Sequence, residues 1–114
     1  MKIEPVKLLP QIEGLRDYYK DIASAAAGTV LAPSALFLFS AARNAIAALM
    51  RIQDLGASII VIDNDMVGIP STASGKLYFV RKNQCSCQAR VICKHLIMRD
   101  AAVAFAFGED TKRI

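Results

Sequence analysis

Tryptophan is absent from the 114 residues, aromatic residues of any kind make up 7%, and histidine occurs once. So thin an aromatic complement argues against a carbohydrate-binding groove, where broad rings supply the contact area. Cysteine is scarce as well: Cys85, Cys87 and Cys93 are the whole set. A secreted scaffold stapled by disulfides spreads an even number of cysteines along its chain. Three within one short window read instead as reduced thiols, which places the protein inside the cell, in cytoplasm or nucleus. The opening Met1-Lys2-Ile3-Glu4-Pro5 lacks the apolar run of a secretion signal.

Charge is missing from Ile22 to Ala42, a stretch long enough to cross a bilayer. Ser24, Gly28, Thr29, Pro33 and Ser34 interrupt it, and a polar stripe follows on the next helix, so the membrane-spanning reading is disfavoured. Two familiar ligand loops fail on spacing. Asp63-Asn64-Asp65 lacks the glycine and the terminal glutamate of a twelve-residue calcium loop. In Gly68 to Lys76 the glycines stand too far apart for a phosphate-binding loop, and Leu77 occupies the position of its metal-binding hydroxyl.

What is present is an apolar chain: 54% of residues are hydrophobic, above the roughly 45–50% of ordinary soluble domains even before glycine is counted. That excludes intrinsic disorder and hints at apolar surface buried against a partner or a second copy. Over residues 6–27, Ile12, Leu15, Tyr19, Ile22 and Ala26 recur at helical spacing, with Glu13, Arg16, Asp17, Lys20 and Asp21 opposite. Pro33-Ser34 opens a second helix that runs to about Leu55, where Gly56 closes it. Its polar stripe is Ser40, Arg43, Asn44, Ala47, Arg51 and Asp54; Leu38, Ala41, Ala45, Leu49 and Ile52 oppose it. After Gly56 the chain turns β-branched. Strands are expected at 58–62, 66–69, 77–81 and 84–87, with turns at 63–65 and 82–83. A final helix spans 93–107 and ends at Gly108, followed by a charged tail, Glu109 to Ile114, that frays. The sequence therefore predicts an α+β protein, with a helical hairpin over 1–57 and a small zinc-binding ββα unit over 58–114, its core at 66–107.

All the thiols and the single imidazole lie in Cys85-Ser-Cys87-Gln-Ala-Arg-Val-Ile-Cys93-Lys-His95. Residues two apart on an extended strand point the same way, so Cys85 and Cys87 can grip one ion. Cys93 and His95 cannot share a helix face at that spacing, so Cys93 must stand at the helix start with His95 in the first turn. Three thiolates and an imidazole make a closed tetrahedral shell suited to one structural zinc ion. A hydrolytic zinc keeps an open position and a nearby base; neither is evident, and the protein is read as non-enzymatic.

This pattern resembles the SWIM zinc finger, C-x-C-x(n)-C-x-H. The "CSC" and "CKH" wording of the ligand pairs carries the likeness, with the upstream Ile69-Pro70-Ser71-Thr72-Ala73-Ser74 and the aromatic-x-Val strand at Tyr78-Phe79-Val80. The resemblance covers about residues 66–107. It implies a ββα zinc module of the kind found in Mutator-type transposases, chromatin remodellers and recombination accessory proteins, where binding to DNA or protein is expected.

Charge is divided unevenly. Residues 1–75 hold six basic and seven acidic side chains, residues 76–114 eight basic and three acidic. Lys76, Arg81, Lys82, Arg90, Lys94 and Arg99 fall within 76–99 with no acid among them. Such a footprint suits phosphate contacts, so nucleic acid, DNA in particular, is the expected partner. Tyr78 and Phe79 stand among these cations as candidate stacking surfaces. The alternative is a protein-interaction module in which zinc is purely structural and the Ala-rich helices of 1–57 mediate homo- or hetero-association.

Overall fold

The computed structural model describes residues 1–87 and 93–114. The chain opens with a two-residue strand β1 (Lys2–Ile3) and a 3-10 turn (Pro5–Leu8). Helices α1 (Leu9–Ala25) and α2 (Ala32–Asp54) follow. Strands β2 (Ile59–Val61), β3 (Val67–Pro70), β4 (Leu77–Arg81) and β5 (Gln84–Cys85) then precede helix α3 (Lys94–Phe107). The strands form one antiparallel sheet in the order β1-β2-β3-β4-β5. The fold is α+β, with the helical pair ahead of the sheet.

Proline at the start of α1 and of α2 occupies a position where its missing N–H costs nothing. Ile12, Leu15 and Tyr19 on α1 face Leu38, Ala42, Ala45, Leu49 and Ile52 on α2, all buried. Alanine at so many α2 positions lets the neighbouring backbones approach closely. The α2 helix is long and apolar enough to span a membrane by length and composition, yet its inward face belongs to the core. Alternation places Ile59, Val61, Val67, Ile69 and Val80 on the inner face of the sheet. There they meet Ile97, Met98, Ala101 and Val103 of α3. Gly108, in the left-handed region at φ 69°, caps α3 by donating to the Ala104 carbonyl at 2.8 Å.

The 57/58 boundary expected from the sequence does not divide the core. A single buried cluster runs from Leu8 and Tyr19 through Leu49 to Val67 and Ile97. The chain start is also stitched to the sheet, with Lys2 opposite Ile60 and Ile3 opposite Ile59. Two residues are too short a run to carry a period-2 signal, so β1 is invisible in the sequence. The tail corrects a second expectation, because it docks. Thr111 Oγ1 donates to the Asp100 carbonyl at 3.0 Å, the Arg113 N–H donates to the Tyr19 hydroxyl at 3.0 Å, and the Tyr18 hydroxyl donates to the Ile114 carbonyl.

Candidate metal centre

Strand β4 leads into a tight turn at Lys82-Asn83, and β5 returns to deliver Cys85, opposite Val80. The strand ends there. Cys87 lies beyond it in a bend, and its backbone N–H donates to Cys85 Sγ at 3.5 Å. The two thiols are therefore brought together by a turn that wraps one sulfur, not by the alternation of an extended strand. On the other side Cys93 is the N-cap of α3 in an extended conformation, and His95 stands in the first turn, as the spacing requires.

The ligand atoms of Cys85, Cys87, Cys93 and His95 all lie within 4.8 Å of one another. In a tetrahedral zinc site with Zn–S near 2.3 Å, sulfurs stand about 3.8 Å apart, so closing on an ion takes at most about an ångström of movement in any pair. The chemistry of the donors fits. His95 is only 8% exposed, and its Nδ1 is enclosed with no hydrogen-bond partner among the described residues. Burial lowers its pKa to about 4, with the Lys94 charge acting in the same direction. The imidazole is thus neutral near pH 7, the form that can bind a metal. Tyr78 lies against it, ring centroids 4.8 Å apart.

Burial pushes the Cys85 thiol up to about 12; the Cys87 N–H opposes this, while the neighbouring sulfurs of Cys87 and Cys93 add to the rise. Cys93 is raised by burial too, against the pull of the Leu96 backbone N–H. Three clustered sulfurs without a compensating cation resist ionisation, and a divalent ion among them reverses that balance. An orphaned imidazole nitrogen beside three converging thiols is a donor set for zinc. With four protein ligands it would be a closed, structural site.

The basic residues fare differently from one another. Lys76, Arg81 and Lys82 are exposed along the β4–β5 hairpin, and Lys94 is half-buried at the first position of α3. Arg90 lies outside the described residues. Arg99 is a correction. It is 3% exposed, and its guanidinium is engaged inside the protein. Nε donates to the Asp65 carbonyl at 2.8 Å, Nη1 to Asp100 Oδ1 at 3.0 Å and Nη2 to the Asn64 carbonyl at 3.2 Å. A guanidinium so buried and engaged holds the fold and is not presented to a phosphate.

That arrangement is the part of the centre which sequence reasoning missed. Asp100, 1% exposed, also accepts from Arg113 Nε at 2.7 Å and Nη2 at 3.1 Å. Arg113 then reaches the β4–β5 turn, donating to Asn83 Oδ1 at 3.0 Å and to the Lys82 carbonyl. Burial pushes the Asp100 carboxyl upward while the two guanidinium groups pull it down. The network joins α3, the 63–65 turn, the hairpin that carries the first ligand pair, and the tail. A signal for it exists: Arg99-Asp100 is an adjacent charge pair inside the otherwise apolar run from Leu96 to Phe107. Its partner Arg113 sits in a segment whose composition reads as tail.

Compared with known proteins, no family model, curated protein or solved structure matches this chain.

Proposed function

We propose that this is a non-enzymatic intracellular protein built around one structural zinc ion, whose finger of the SWIM type binds nucleic acid. The ligands are Cys85, Cys87, Cys93 and His95. The donor set supports a structural role because four protein ligands leave no coordination position for a substrate. The observation that carries the nucleic-acid reading is the exposure of Lys76, Arg81 and Lys82 along the hairpin leading into the first ligand pair. Arg81 is only loosely held, its Nη1 3.6 Å from Asp65 Oδ2. Exposed cations on a hydrogen-bonded hairpin can meet phosphates, and counterion release makes such binding salt-dependent.

The test is an anisotropy titration of zinc-loaded protein against DNA at several salt concentrations. Replacing Arg81 and Lys82 with alanine should weaken binding and reduce the salt slope by about two. No binding by the wild type at low salt ends this reading.

A second reading has its own observation. At the end of the helical hairpin Val30 is 92% exposed, and Leu31, Leu36 and Phe37 are each about half exposed. No charge lies within this stretch. An apolar surface of that kind favours association through residues 1–57, either with a second copy or with another protein. A light-scattering mass above that of the monomer, restored to the monomer by Phe37→Glu, would be its signature.

A further inference from the structure

We propose that the outer face of the sheet, centred on Phe79, is a stacking platform for the bases of a single-stranded nucleic acid. This rests on the nucleic-acid reading above and adds which surface binds and which form of nucleic acid it takes.

Alternation along β4 sends Tyr78 and Val80 inward, Tyr78 against His95 and Val80 into the core. Leu77, Phe79 and Arg81 point the other way. Of the two candidate aromatics, then, Phe79 is the one presented to solvent, with 51% of its surface exposed. The strand register extends its row across the sheet. Phe79 is opposite Gly68, Gly68 opposite Ile60, and Ile60 opposite Lys2. At Gly68 there is no side chain, and the Ile60 and Leu77 side chains close over the position, 3.7 and 3.8 Å from where a Cβ would stand. Gly68 is itself covered by these two side chains, so the floor beside the Phe79 ring is low and apolar, a surface against which the edge of a planar base can rest.

On the other side of the ring, Phe79, Arg81, Gln84 and Ser86 line a shallow cleft of about 280 Å³. It offers a ring face, a guanidinium and an amide that can address a base edge. Cys85 forms part of its wall, so a metal held by that sulfur would fix the cleft.

Charge and shape select the occupant. Lys2 ends the row, exposed Lys76 precedes β4, and Arg81 and Lys82 follow at its other end; together they outnumber Asp63 and Asp65, the latter already engaged by Arg99, the Lys82 N–H and, loosely, Arg81. A cationic rim around an exposed aromatic matches a polyanion that carries π faces, which is a strand of unpaired nucleotides. A duplex hides those faces. Of the elements that can enter its major groove, a helix or a two-stranded ribbon, α3 is unavailable, being buried at every position from His95 to Val103. DNA and RNA single strands share the chemistry recognised here, and the 2′-hydroxyl is the feature that would separate them.

The experiment uses the full, zinc-loaded chain with labelled dT12, rU12, a twelve-base-pair duplex and an abasic strand of equal length. Wild type should prefer the single strands, dT12 or rU12 or both, over the duplex and the abasic strand. Phe79→Ala should weaken single-strand binding roughly 5- to 150-fold while leaving the weaker duplex binding unchanged. Phe79→Tyr should restore it to within about twofold, with zinc content unaltered throughout. Because the chain has no tryptophan, Phe79→Trp introduces a sole indole whose fluorescence should be quenched by dT12 and not by the abasic strand. Binding to nucleic acid that is indifferent to Phe79→Ala, or that favours the duplex, overturns the platform and leaves the nucleic-acid reading standing. Wild type that binds none of the four probes removes both.

Discussion

Along α1 and α2 the inward positions are filled by Ile12, Leu15, Tyr19, Leu38, Leu49 and Ile52, and no buried charge is needed to orient the pair. The hairpin end that carries the first ligand pair is built otherwise. From Arg81 to Cys87 the chain buries no large apolar side chain: Gln84 and Ser86 are exposed, and Cys85 and Cys87 are partly so. What holds this end is polar: three thiols and an imidazole converging on one point, and Asp100 clamped between Arg99 and Arg113. Apolar burial is non-directional and tolerates imprecise positions. Metal and guanidinium contacts are directional and few, so they can fix a short strand with almost no core of its own. They also leave its outward side chains free for other work.

The largest break in that comparison should come from the metal ligands. Chelation, or Cys93→Ser, should take zinc content from one per chain to none. Hydrogen exchange should accelerate in β4, β5 and the first turn of α3, while α1 and α2 keep their protection. Structural zinc contributes folding free energy outright, so the melting temperature should drop by about 10 °C or more, at roughly 4–8 °C per kcal/mol for a chain of this size. Leu49→Ala supplies the contrast. That fully buried side chain should cost about 2–5 kcal/mol with or without zinc. Loss of protection in α1 and α2 on chelation would show that the two ends are not held separately.

Next in size is Asp100→Asn. Removing the carboxylate charge leaves Arg99, buried, and Arg113, nearly so, without their shared counter-ion. Breaking one partner of a buried pair costs about 3–5 kcal/mol, because the remaining charge stays desolvated. Urea unfolding of the zinc-loaded variant measures this. The tail should also come loose, since Arg113 is its anchor, and proteolysis near residue 110 reports that directly. A loss below about 1 kcal/mol would mean that the network orients the hairpin without stabilising it.

The apolar end was readable in the sequence and the polar end only in part, for a physical reason. Leu38, Ala41, Ala45, Leu49 and Ile52 announce their face through the 3.6-residue period, and all five are buried. The ligand cluster was readable because Cys85, Cys87, Cys93 and His95 are neighbours in the chain, and Cys93 stands at the helix start as the spacing demands. Asp65, Asp100 and Arg113 are far apart in sequence and have no periodicity, so nothing local marks them as partners. Arg99 was misread for the same reason. In sequence it is one more cation in a basic run, and only the fold supplies the Asn64 and Asp65 carbonyls that occupy it. Phe79 and Tyr78 were indistinguishable until the register fixed which of them faces out.

The smallest expected effect concerns a polar contact that lies outside the buried network. Asp63 Oδ1 accepts the N–H groups of Asp65 at 2.8 Å and Met66 at 2.7 Å, closing the turn between β2 and β3. Those two donors, with the Arg81 and Arg99 charges behind them, hold its carboxyl below the ordinary range. A lowered folded pKa contributes stability above the unfolded value, near pH 4, that is lost as pH falls through the folded value. Asp63→Asn keeps an oxygen for both N–H groups and removes only the charge. The two proteins should therefore differ by a small constant in melting temperature at pH 5 and above. That difference should close below about pH 4, as the wild-type carboxyl takes up its proton. Because the group is exposed, the gap should be smaller than for either change above. Equal melting temperatures at pH 5 and above would assign the turn's stability to the oxygen alone, and would confine the charge-dependent part of this end to Asp100 and its two arginines.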